Sequence, residues 1–171
     1  MDDFLITIEQ SLIDGGVNAD TNMIAAISGG PDSMALLHAL SSLRGRLGFG
    51  LEAAHYNHNL RATSLRDENI VREYCAGLGV KLSVGAGDVR AMARGGNIEN
   101  AAREARYAFM LGLLADDGSG VLAVAHHRAD LVESVLMNII RGAGTRGLTG
   151  MRERRGAVIR PMLHISKDDI D

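Results

Sequence analysis

At 171 residues with 46% hydrophobic content, the chain is long enough to bury the core of one domain and too apolar for a disordered segment. Its single cysteine, Cys75, excludes a disulfide framework or a Cys-rich zinc site within one chain. A net charge of −3 argues against unspecific coating of nucleic acid, although that average conceals a basic stretch late in the chain.

The first residues are acidic (Asp2, Asp3, Glu9, Asp14, Asp20), with no Lys or Arg before Arg44, the opposite of a signal or transit peptide. No apolar run approaches the roughly 20 residues that span a bilayer, so a soluble, cytoplasmic protein with no membrane partner is expected. Apolar residues at Leu5, Ile8 and Leu12 predict an amphipathic helix over residues 4–13, stopped by Gly15 and Gly16. Residues 23–28 read as a short buried strand, broken by Gly29-Gly30-Pro31 and followed by a helix over 34–43. The alternation then repeats: strand 51–57, helix 66–78, strand 80–84, helix 97–114, strand 121–125, a helix through Leu131 to Ile140 stopped by Gly142, and a fifth strand at 158–161. Short buried strands alternating with amphipathic helices predict an α/β fold, a five-stranded parallel sheet with helices on both faces. Ligands of such sheets sit at the carboxyl ends of the strands, so the loops after Ser28, Asn57 and Ala125 should converge. Ser166-Lys-Asp-Asp169 has the form of a capped helix start, and the chain stops at Asp171 before a helix could run. A single domain that is a fragment or truncation of something longer is therefore expected.

The strongest chemical signal is Ser28-Gly29-Gly30-Pro31-Asp32-Ser33, lying between a strand and a helix. Glycines let the backbone aim successive N–H groups inward, and the helix N-terminus adds positive potential, which makes an anion cradle suited to phosphate. The spacing and lysine of the classical P-loop are absent. An ordinary capped turn is the plainer alternative. Gly142-Ala143-Gly144-Thr145-Arg146-Gly147 satisfies the dinucleotide-binding glycine pattern, but it follows a helix where that fingerprint needs a strand. What remains there is a glycine-rich loop flanked by Arg141 and Arg146. Between Arg141 and Arg160 six arginines face one acid, Glu153, a basic segment that binds a phosphate backbone only if its members share a face. Asp130 and Glu133 lie three apart at a helix start, so both carboxylates can share a face; first-turn acids favoured by the helix dipole are the alternative. His55, His58, His126 and His127 could in principle bind zinc, yet histidines also contact phosphates, ribose and bases, the preferred reading.

The Ser28–Ser33 stretch resembles the pyrophosphate loop of the ATP pyrophosphatases, which cleave ATP between its α and β phosphates and pass AMP to a substrate oxygen. Three further stretches narrow the resemblance. They are His55-Tyr56-Asn57-His58-Asn59-Leu60-Arg61; Asn97-Ile98-Glu99 leading into Ala101-Ala102-Arg103-Glu104-Ala105-Arg106-Tyr107; and Ala125-His126-His127 leading through Asp130 and Glu133 to Arg141-Gly142-Ala143-Gly144. In this order, with Arg160-Pro161 near the end, they resemble the N-terminal catalytic domain of the tRNA(Ile)-lysidine synthetases, over nearly the whole chain from Met23 to Asp169.

That resemblance implies a Rossmann-like adenine nucleotide alpha hydrolase fold, ATP with Mg²⁺, and two substrates, L-lysine and a tRNA(Ile) with a CAU anticodon. Cytosine O2 attacks the α-phosphate; the lysine amine then displaces AMP from C2, so lysidine, AMP and pyrophosphate are the products. It places the pyrophosphate on Ser28, Gly29, Gly30, Pro31, Asp32 and Ser33, with Mg²⁺ through Asp32, and makes Asp32, Asp130 and Glu133 the catalytic candidates. His55, Asn57, His58, Arg61, Arg103, Arg106, His126, His127, Arg141, Arg146 and Arg152 become candidate contacts to nucleotide or tRNA. It also implies further C-terminal tRNA-binding domains in longer relatives. The chain departs from the family at Ala129 and Leu131, where polar residues are usual, the first an aspartate. A nucleotide-binding domain with weakened catalysis and a different AMP-forming ATP pyrophosphatase are the alternatives. A sulfur-transferring relative would need Cys-x-x-Cys pairs, and Cys75 stands alone.

Overall fold

The computed structural model describes residues 3–58, 64–88, 97–114, 120–142 and 149–170. Its elements run α1 (Asp3–Asp14), β1 (Asn22–Ala26), α2 (Pro31–Leu47), β2 (Gly50–Asn57), α3 (Ser64–Gly77), β3 (Lys81–Ala86), α4 (Ile98–Leu111), β4 (Gly120–Ala123), α5 (Arg128–Ile140), β5 (Arg154–Arg155) and β6 (Val158–Ile159). The strands form one sheet in the order β3-β2-β1-β4-β6-β5. The first five of these are mutually parallel.

The expectation of five strands is corrected by one: β5 pairs antiparallel with β6, Arg154 opposite Ile159 and Arg155 opposite Val158. Gly156, with φ +59°, starts the two-residue turn that this hairpin requires. Arg154 holds the hairpin down by donating to the carbonyls of Gly156 and Gly15. Two exposed arginines carry no alternation, so nothing in the pattern marked them as a strand. The expected helix start at Ser166 has its capping contacts, Ser166 Oγ with the Asp169 carboxylate and the Asp169 N–H with Ser166 Oγ, but the described chain forms turns through Ile170.

Period-two alternation divides the sheet into two faces. Met23, Ala25, Ile27 and Ala53 meet Ile8 and Leu12 of α1, Leu36 and Leu40 of α2, and Val71 and Cys75 of α3 in one core. Ile24, Ala54, Tyr56, Leu122 and Val124 meet Met110, Tyr107 and Phe109 of α4 in the other. α4 lies so close that a Cβ on Gly85 of β3 would stand 2.8 Å from the Phe109 ring.

From β1 the chain winds outward to β2 and β3, then returns to place β4 on the other side of β1. The carboxyl ends of β1 and β4 therefore diverge at a topological switch point, where α/β sheets open a crevice. No helix among the described residues is long and apolar enough to cross a membrane.

Candidate functional site

A cavity of about 320 Å³ opens at that switch point, within the size range of small-molecule sites. Its lining comes from the β1–α2 loop (Ile27, Ser28, Gly30, Asp32, Ser33), the end of β2 (Tyr56, His58), α4 (Arg106, Tyr107), and the β4–α5 junction (His126, His127, Asp130). All three expected loops thus reach one place.

The β1–α2 loop is cross-braced by its own hydroxyls. Ser33, buried at 4% exposure, accepts from the Ser28 N–H at 3.2 Å and donates to the Gly30 carbonyl at 2.9 Å; Ser28 Oγ lies 3.2 Å from Ser33 Oγ and accepts from the Gly30 N–H at 3.3 Å. Gly29 sits at φ +90°, a conformation in which a side chain is strained, and its Cβ position lies in ordinary contact with Val71 of α3, 3.5 Å away. α2 starts on Gly30 with no side-chain cap and has Pro31 in its first turn. The next N–H groups of that turn, on Asp32 and Ser33, have no intrahelical acceptor and are open to an anion.

Opposite the loop, His127 caps α5. Its Nδ1 accepts from the Ala129 N–H at 3.3 Å, which assigns the ring proton of the neutral form to Nε2. That Nε2 lies 3.8 Å from Asp32 and 3.6 Å from Asp130, and the His127 N–H donates to Asp130 at 2.8 Å. His127 thereby positions the two carboxylates against one another across the cavity. Glu133, one turn along, is exposed and does not line the cavity. Ala129 is exposed too, contributing its backbone N–H to the cap, and half-buried Leu131 packs against Gly150. Mg²⁺ commonly takes one or two carboxylates and completes its shell with substrate phosphates and water; Asp32 and Asp130 fit that use.

One residue missed by the sequence reading enters here. The Lys167 ammonium contacts the Asp32 carboxylate, linking positions 135 apart. After β6 the chain runs back through Met162 and Ile165, both buried in the α2-side core, and Ile165 accepts from the Arg128 N–H, delivering Lys167 to the β1–α2 loop. The pattern around Lys167 marks only a helix start; the nearby Arg160-Pro161 motif is the sequence signal for this segment.

His126 is held neutral, its pKa lowered to about 4 by burial first and then by Arg160, whose Nε donates to His126 Nδ1 at 3.2 Å. Burial, Arg106 and His55 likewise lower the pKa of His58, whose Nδ1 is enclosed without a hydrogen-bond partner among the described residues. His55 and Asn57 do not line the cavity. The His55 ring bonds the Ile27 carbonyl at 2.8 Å, and Asn57 donates to Glu68 of α3 at 3.1 Å. Both side chains leave β2 on the face opposite Tyr56, so the period-two alternation already separated them from Tyr56 and His58. Arg103 belongs to a neighbouring cleft. Arg152 is exposed and gives its carbonyl to Arg160, and Arg141 is exposed beyond the end of α5. Arg61 and Arg146 lie outside the described residues. No group of three or more His, Cys, Asp and Glu residues able to hold a metal occurs among the described residues. Cys75 is buried in the core, which raises its thiol pKa and leaves it unsuited to sulfur transfer.

A tRNA(Ile)-lysidine synthase of Bacteroides thetaiotaomicron is 42% identical over 154 residues, 88% of this chain and 35% of that protein. Those of Chlorobaculum tepidum (42% over 151 residues) and Clostridium acetobutylicum (35% over 175) align with 86% and 100% of this chain. The chain spans 46% and 37% of their lengths. Among solved structures, a U34-tRNA thiolase of Methanococcus maripaludis superposes with a TM-score of 0.80 at 16% identity, covering 98% of this chain and 60% of that one. An NH3-dependent NAD synthetase of Campylobacter jejuni does so with 0.61 at 15%, covering 99% and 71%. At such identities the likeness is one of fold. The family model of the PP-loop domain matches residues 4–171, so the chain belongs to the PP-loop family.

Proposed function

We propose that the chain is the ATP-cleaving catalytic domain of a tRNA(Ile)-lysidine synthetase, joining lysine to C2 of the wobble cytidine in a CAU anticodon. The observation that carries this reading is the meeting of a self-braced phosphate loop with the His127–Asp130 pair in one cavity. The 35–42% identity to synthases of that name supports it.

In the first step cytosine O2 attacks the α-phosphorus, the bond to the β-phosphate oxygen breaks, and pyrophosphate leaves. The open N–H groups of Asp32 and Ser33 and the Lys167 ammonium are placed to take up the charge on that leaving group. In the second step the lysine amine attacks C2 and AMP departs with the C2–O bond. Asp130, rather than exposed Glu133, is the carboxylate placed to hold the lysine ammonium and accept its proton. Bound Mg²⁺, held by Asp32 and Asp130, would supply further charge neutralisation at the phosphates. Neutral His126 and His58 add hydrogen-bonding edges without adding charge. Because position 129 faces solvent, the alanine there leaves the cavity's carboxylates in place.

Pyrophosphate release that depends on both ATP and tRNA tests the assignment. Asp32→Ala should reduce it by at least about 100-fold, the scale on which electrostatic groups at a reacting centre act. Asp130→Asn should raise the KM for lysine and slow pyrophosphate release less than Asp32→Ala does, because Asp32 still holds the metal. Release undiminished in Asp32→Ala contradicts the phosphate-loop assignment.

A further inference from the structure

Tyr107 lines the switch-point cavity and also walls a second cleft of about 550 Å³ between α4 and the β5–β6 hairpin. Three arginines, Arg103 and Arg155 from its exposed sides and Arg160 from beneath, converge on that cleft, with Glu104 the acid among its lining residues. Like charges brought together this way repel, and the arrangement is not neutralised within the protein. Among the described residues none of the three arginines makes an ion pair within 4 Å of a carboxylate; those formed lie elsewhere. Arg160 is only 8% exposed, yet its Nε and Nη1 are spent on a histidine nitrogen and the Arg152 carbonyl, leaving Nη2 with no acceptor among the described residues. A largely buried guanidinium beside two like charges gains from an anion at its remaining donors. Arg103 and Arg106 also lie over the Tyr107 ring, at 5.0 and 5.6 Å from its centroid, so the wall between the two cavities carries positive charge.

We propose that this cleft binds the phosphodiester backbone of single-stranded RNA, at the nucleotides adjoining the base that enters the switch-point cavity. This rests on the reading that an RNA base is the substrate. A base delivered by a polynucleotide brings its flanking phosphates with it, and these must settle within a nucleotide's reach. The cleft across Tyr107 is an arginine-lined surface that shares a wall with the cavity. Contacts to phosphate carry no sequence information, so the cleft would fix register and orientation and leave the choice of base to the cavity. The sharing of Tyr107 with the cavity favours RNA over an acidic protein segment.

The test uses Arg103→Ala/Arg155→Ala, two exposed positions whose loss spares the core, and compares binding of ATP with binding of an RNA hairpin carrying a CAU loop across a salt series. ATP affinity should stay unchanged, hairpin affinity should fall roughly ten-fold or more, and the slope of log affinity against log salt should flatten by about 1.4, two single-strand phosphate contacts. Arg103→Lys/Arg155→Lys, which keeps the charges, should retain most of the slope. Polyuridylate should displace the hairpin, and polyglutamate should not. Hairpin affinity and slope unchanged in the alanine variant would overturn the proposal. So would loss of ATP binding instead, which would assign the arginines to the nucleotide's phosphates, or equal displacement by polyglutamate, which would make the cleft a protein-docking surface. A wild-type chain that binds ATP but no hairpin would refute the RNA reading itself and this proposal with it.

Discussion

On one side of the sheet, Ile8, Leu12, Leu36, Leu40 and Val71 from α1, α2 and α3 are wholly buried. On the other, Met110 is the buried residue of α4, and α5 buries none, leaving Val132, Leu136 and Ile139 about half exposed. The phosphate loop stands on the densely packed side: Gly29 is backed by Val71, Ser33 is buried, and Lys167 arrives from a segment anchored in the same core. The groups assigned to RNA and lysine come from the open side. Dense burial resists local opening and suits the proposed pyrophosphate site, which must stay fixed, whereas a surface with few buried contacts yields to a large incoming substrate at little cost.

Stability breaks this comparison most directly. Leu40→Ala should cost about 2–5 kcal/mol, as for a wholly enclosed leucine, while Leu136→Ala on α5 should stay within about 0.5 kcal/mol. Denaturant titration of both variants checks the contrast, and equal costs would show that the two faces do not differ as described.

Lys167→Met comes next. Removing the cation at the phosphate loop should lower pyrophosphate release about 10- to 100-fold, with a smaller effect on melting, because the Asp32 pair is about one-third exposed on each side and such pairs contribute little to stability. A variant that loses stability but keeps its rate of release would make Lys167 a tether only.

The smallest effect is on pH dependence. His126 titrates near 4 in the folded chain against the usual 6.5, so between those values the unfolded chain binds a proton that the folded one refuses. Stability should therefore fall as pH drops from about 6.5 towards 4, by at most about 1.4 kcal/mol per pH unit for one proton. His126→Gln should flatten that slope. An unchanged slope would place the titration elsewhere.

The phosphate loop was legible because its chemistry is local: a glycine at positive φ, a proline in the first turn of a helix, and two hydroxyls five residues apart all leave marks within six positions. The succession of strands and helices along the chain was legible for the same reason, each announcing itself by period, whereas the order of the strands within the sheet was not. Features that depend on distant segments left no such mark. Lys167 reaches Asp32 only because the chain after β6 recrosses the core, and β5 exists only because Gly156 reverses two exposed arginines onto Val158 and Ile159. His55 and Asn57 stood in a motif with His58, and the motif hid what the alternation of β2 showed, that they leave the strand on the other face. Arg160 stood out in sequence only through Arg160-Pro161; that it is buried while the basic residues around it are exposed shows only in the fold.

Incubation with Mg·ATP, isotopically labelled lysine and an isoleucine tRNA with a CAU anticodon, followed by nuclease digestion and mass spectrometry, tests the central claim most directly. The account predicts a labelled lysidine nucleoside, with one AMP and one pyrophosphate released per modification. ATP binding with no labelled nucleoside, at protein concentrations stoichiometric with the tRNA, would contradict it and leave the chain a nucleotide-binding PP-loop domain without this chemistry.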